Sequence, residues 1–147
     1  MASAFLPMLI SNLLAGVTAL IGIFNLFTLR EALMIIVMTS PISVFSWRVI
    51  DIAIMIVIGI IWLIVVFLSQ SNYDKGYRQK SLLKVFSLVT GYQILLFFIA
   101  SMIVHLFDFV PATSQNIIMT VVQAIFAAGL LIYAYKDFFV KSLNLKI

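Results

Sequence analysis

Four stretches of mostly apolar residues, each long enough to cross a bilayer as a helix, dominate this chain: about 4–28, 49–69, 85–106 and 117–135. A spanning helix needs about 20 such residues. Hydrocarbon offers no hydrogen bonds, so a segment inside it must satisfy its own backbone, and a helix does so. Only 10% of the 147 residues are charged and 65% are hydrophobic, whereas a soluble domain carries about 25% charged residues. A soluble fold of this composition would expose large apolar patches and aggregate. The expected fold is all-α. It is a polytopic membrane protein with one domain, a four-transmembrane-helix antiparallel bundle. Residues 1–29 hold no charge. A secretory signal needs a basic start and an apolar core of about 7–15 residues, so the first stretch reads as a retained span.

Residues 30–47 are the ambiguous segment. Sixteen uncharged residues are interrupted there by Thr39, Ser40 and Pro41. Proline removes a helical hydrogen bond and disfavours helix in the residue before it. The expectation is a short helix over about 30–38, interfacial or re-entrant, between spans 1 and 2. The competing reading is a fifth span. Residues 70–84 are the most polar segment and read as a cytoplasmic loop, with 136–147 as a cytoplasmic tail.

Orientation follows from basic residues in short loops. With four spans, Lys75, Arg78, Lys80, Lys84, Lys136, Lys141 and Lys146 share one side, and Arg30 and Arg48 the other. That bias places both termini in the cytoplasm, in a bacterial or archaeal plasma membrane. Tyr73, Tyr77, Tyr133 and Tyr135 would then lie at the inner interface and Trp47 at the outer one, the depth that amphipathic rings favour.

Much chemistry is excluded. The chain has no cysteine and one histidine, His105. Disulfides, thiolate metal sites and thiol nucleophiles are therefore out, as is a haem held by two histidines of this chain. There is no phosphate-binding Gly-rich loop, no G-x-S-x-G and no H-E-x-x-H. No cofactor is expected. The net charge of +4 comes from scattered membrane-flanking residues, which make no face for nucleic acid. No ionisable residue falls at the centre of a span. Charges there mark proton and ion pathways, so a proton-coupled pump built from this chain alone is disfavoured.

Three sets of residues remain as candidates. Ser11, Ala15 and Ala19 in the first span, and Thr120, Ala124 and Ala128 in the fourth, recur every four residues. Small residues let helices approach closely in lipid, whether within the bundle or against a partner. Arg30, Glu31, Arg48, Asp51, His105 and Asp108 cluster at the outer span ends. Such a layer suits a lipid headgroup, a small anion or a partner protein, although span ends carry charges in any membrane protein. Lys75, Arg78, Lys80 and Lys84 are each drawn to anionic headgroups by about 1 kcal/mol. Asn12, Asn25, Gln93 and Gln123 lie within spans, where amides hydrogen-bond across helices.

Four spans, a short helix between the first two and both termini inside give a layout similar to the small membrane subunit of tripartite periplasmic transporters. The likeness is one of architecture, shared with small accessory subunits of respiratory, photosynthetic and transport complexes. The expected role is a non-catalytic accessory or scaffold subunit of a larger membrane complex. Its partners would be membrane lipids and other subunits or copies of itself. The alternative is a small homo-oligomeric transport or ligand-binding protein that uses the outer charged layer.

Overall fold

The structure, a computed structural model, describes residues 2–107 and 114–144, with side chains over 6–107 and 116–136. It is all-α. Helix α1 runs Ala2–Thr39, α2 Val44–Arg78, α3 Leu82–Phe107 and α4 Ser114–Asn144. Each is long and apolar enough to cross a membrane. At 1.5 Å rise per residue, the 38 residues of α1 reach about 57 Å and the 35 of α2 about 52 Å.

Residues 30–38 do not form a separate short helix. They continue α1 without interruption to Thr39. Arg30 to Thr39 contains neither proline nor glycine, so nothing breaks the ladder there. The break comes where Pro41 disfavours helix at Ser40. The hydroxyls of Thr39 and Ser40 both donate to the Ile36 carbonyl at 2.9 Å, which satisfies one of the orphan acceptors of a helix end. Helix α2 then begins at Val44.

The polar segment 70–84 is likewise mostly helical. Helix α2 extends to Arg78, supported by an Arg78–Asp74 ion pair at 3.0 Å one turn apart. Only Gln79, Lys80 and Ser81 connect α2 to α3. Ser81 N–H donates to the Gly76 carbonyl at 2.8 Å and Lys80 N–H to the Tyr77 carbonyl at 3.1 Å. That pair of bonds, with Lys80 at φ 54°, is a Schellman closure. Gly76 lets the turn pack closely, since a Cβ there would stand 3.3 Å from Leu82 Cα and 3.1 Å from Val85 Cγ2.

Helices α1, α2 and α3 form a three-helix core. Among the described residues α4 packs on α3 alone. The bundle is thus three helices plus one strapped to its side, and α3 is the central element. The interior inverts the soluble pattern. Ser11, Ala15, Thr18, Gly22, Asn25 and Ala32 of α1 face inward and are buried, while Phe24, Phe67 and Ile125 face out. In lipid, apolar burial gives no drive for helix association, so close fit and hydrogen bonds supply it.

Candidate functional site

The buried stripe of α1 spaces its residues 4-3-4-3: Ser11, Ala15, Thr18, Gly22, Asn25. An average step of 3.5 is the seam of a left-handed crossing. A row taken every four residues drifts off that seam by about 40° per step. Hence Ser11 and Ala15 lie in the seam while Ala19 stands half-buried at its edge. Helix α4 behaves the same way. Thr120 and Ala127 are buried against α3, Ala124 is half-buried and Ala128 is exposed. Gly91 of α3 marks the closest approach, since a Cβ there would stand 3.0 Å from Leu131.

Polar groups in this seam join the three core helices. The Thr18 and Tyr73 hydroxyls lie 2.6 Å apart. Tyr73 is fully buried, so it is a core residue of α2 rather than an interfacial ring. Gln93 of α3 donates its Nε2–H to the Thr18 carbonyl at 3.2 Å. Nearer the α2–α3 turn, Gln70 donates to Asn12 at 2.7 Å. Satisfaction is incomplete on both sides of Thr18, and toward the α2–α3 turn the Ser11 hydroxyl has no partner. Both amide atoms of Asn25, the indole nitrogen of Trp62 and Oε1 of Gln93 are shielded from solvent and have no partner. Gly22 sits among them. A Cβ on it would collide with the Trp62 indole nitrogen and lie 3.4 Å from Gln93 Nε2. The residues of this group line a cavity of about 350 Å³.

The charged layer at the α1–α2 turn end is organised by one ion pair. Arg30 donates from Nε and Nη2 to the two carboxylate oxygens of Asp51 at 2.7 and 2.6 Å. This bidentate geometry is the strong form of the pairing. The pair clasps α1 to α2 about 13 Å along the axis from Thr39. Arg48 and Glu31 are exposed. His105 Nδ1 lies 2.7 Å from the Ser101 carbonyl. That oxygen can only accept, so Nδ1 carries the proton. Asp108 lies outside the described residues. Within this layer the Arg30 guanidinium and the Asp51 carboxylate are spent on each other. Replacing Arg30 by Ala, or Asp51 by Asn, should lower the melting temperature in detergent, because each leaves a part-buried charge without its partner. The exchange Arg30→Asp with Asp51→Arg should recover most of the loss. An exchange as unstable as the single variants would show that the clasp does not hold the helices.

At the other end, Arg78, Lys80 and Lys84 border one recess together with Tyr77 and Tyr133, and Lys75 is exposed on the neighbouring turn. No cluster of three or more His, Asp or Glu side chains suited to a metal occurs among the described residues.

Sequence reasoning took Asn25 and Gln93 as amides bonding across helices; Gln93 does so, whereas Asn25 has no partner, and the places of Thr18, Gly22 and Trp62 beside Gln93 and of Tyr73 on Thr18 were missed. The usable signal was the 4-3 spacing of small and polar residues along α1. Comparison with protein-family models, curated proteins and solved structures returned no match.

Proposed function

We propose that this chain is a non-catalytic subunit of a larger membrane complex and that α4 is its docking helix. The support is the free side of α4. Among the described residues its one neighbouring helix is α3, and Gly129, like Gly16 of α1 and Gly59 of α2, has open space where a Cβ would lie. Glycine inside a helix costs about 1 kcal/mol relative to alanine, and nothing in this chain uses the room it leaves. Small residues of this kind let a second helix approach closely in lipid. Exposed Phe126 and Tyr133 flank the gap and would embrace an entering helix. In this reading the protein is polytopic, with both termini in the cytoplasm of a bacterial or archaeal plasma membrane. The basic residues around the α2–α3 turn and in the tail favour that orientation.

Gentle detergent extraction from the native host, followed by native mass measurement, tests the reading. The expected result is a complex containing at least one further membrane chain, or copies of this one. Gly129→Ile should release it while leaving the helical circular dichroism intact. A lone monomer from the native host would overturn the proposal.

A further inference from the structure

We propose that the cavity between α2 and α3 binds a neutral, hydroxyl-bearing amphiphile of the acylglycerol class, held by Asn25 and Trp62. Helices α2 and α3 are close at their turn, where Gly76 meets Leu82 and Val85. Farther along, a cavity of about 350 Å³ opens between them, with α1 at its back. That size lies within the range of small-molecule sites, about 300–1,000 Å³.

Most of the wall is apolar, which suits a guest arriving from lipid. The exceptions are Ser69, Asn72 and Tyr92 toward one end and the polar group around Gly22. Asn25 is 6% exposed and Gln93 8%. Neither atom of the Asn25 amide has a partner, nor does the Trp62 indole N–H, nor the Gln93 carbonyl oxygen. The orientation of Gln93 is fixed, because the Thr18 backbone oxygen accepts and cannot donate, so Nε2 must face it. Each buried polar atom left unsatisfied costs about 1–3 kcal/mol, and folded proteins leave few of them. Nine such atoms occur among the described residues, and four of them belong to three residues that line this one cavity, shielded just behind its surface.

Their chemistry specifies the guest. Asn25 Nδ2 and Trp62 Nε1 are donors. Asn25 Oδ1 and Gln93 Oε1 are acceptors. A ligand that only accepts, such as a ketone, quinone or ester, leaves both acceptors orphaned. A carboxylate or phosphate only accepts and also brings charge. No Lys, Arg or His lines the cavity, and an uncompensated charge inside a membrane is expensive. Hydroxyl groups donate and accept at once. A glycerol head with free hydroxyls therefore meets both the donors and the acceptor of Asn25 and Trp62 once these two side chains turn toward it. Its acyl tail would leave between α2 and α3 into the bilayer.

The test uses the full chain carrying Trp47→Phe, so that Trp62 is the one remaining tryptophan. It is reconstituted in phosphatidylcholine vesicles. The first probe is monooleoylglycerol brominated on its acyl chain. The second is the correspondingly brominated oleic acid methyl ester, which accepts but does not donate. Saturable quenching of Trp62 by the first probe, with affinity about tenfold or more above that of the second, is expected, since tenfold corresponds to one hydrogen bond of about 1.4 kcal/mol. Asn25→Leu should weaken the first probe by a similar factor while leaving quenching by brominated phosphatidylcholine unchanged. The comparison of probes needs no Asn25 variant, so it decides the matter even where Asn25→Leu fails to fold. Equal affinities, or quenching that rises without saturation for both, would mean that water alone fills the site and would overturn the proposal.

Discussion

Replacing Tyr73 by alanine is expected to destabilise the protein by about 3–5 kcal/mol, the cost of truncating a large buried aromatic side chain. Tyr73 has no exposed surface. Its ring packs against Phe86 with centroids 6.0 Å apart, and its hydroxyl reaches Thr18 across the bundle. One side chain of α2 thus touches both other core helices. Truncation leaves a void and strands the Thr18 hydroxyl. Tyr73→Phe removes the hydrogen bond alone and should cost about 1 kcal/mol. Thermal unfolding in detergent, followed by circular dichroism, separates the two. If the Phe variant loses as much as the Ala variant, the hydrogen bond and not the packing holds this node. If neither melts earlier, the seam described here is not what holds the core.

Gly91→Leu is expected to have the second large effect, and to confine it to α4. A Cβ at this position would already lie 3.0 Å from Leu131 Cγ and Cδ2 and 3.3 Å from Leu130 Cβ. A whole leucine cannot be seated without pushing the helices apart. Overpacking of this kind costs about 1–3 kcal/mol. Among the described residues helix α4 has no second neighbouring helix to keep it in place. The Tyr92–Tyr135 hydroxyl contact at 2.9 Å is too exposed to compensate. Spin labels on cysteines at Leu83 and Ile132, both exposed, should give a longer and broader distance distribution in the variant. The chain has no cysteine of its own, so the labels are unambiguous. An unchanged distribution would mean that α4 is held by more than this seam.

What the sequence made legible was set by solvent and length. Long uncharged runs between charged boundaries can only be helices in lipid, so the four helices follow from hydropathy alone. Their ends were less legible. Residues 30–38 and 70–78 continue helices because helix propensity does not stop at the membrane surface, and local bonds such as Arg78 to Asp74 extend it. The stops lie where backbone chemistry demands them, at Pro41 and at the left-handed Lys80. The interior was half legible. A four-residue row finds Ser11 and Ala15 but drifts away from the true seam, which turns every 3.5 residues and passes through Thr18, Gly22 and Asn25. The pairing of Arg30 with Asp51 was hidden because the two residues belong to different helices, and only their relative height and rotation bring them together. The cavity was illegible for the same reason, since Trp62 becomes its neighbour only when Gly22 leaves room.

The lengths of α1 and α2 carry one more consequence. The hydrocarbon layer is about 30 Å thick, and both helices far exceed it. Beyond the Arg30–Asp51 clasp the hairpin mixes polar and apolar surface: beside exposed Glu31, Ser43 and Arg48, Val44, Phe45 and Val49 are among the most exposed apolar side chains of the protein. In a thick membrane these residues enter the acyl region and gain by it. In a thin one they stand in the headgroups or in water, or the helices tilt to hide them. Each ångström of mismatch costs a fraction of a kcal/mol. If the chain spans a membrane as proposed, bilayer thickness is one of the forces acting on its fold, and it would sort the protein toward membranes deep enough to cover these side chains.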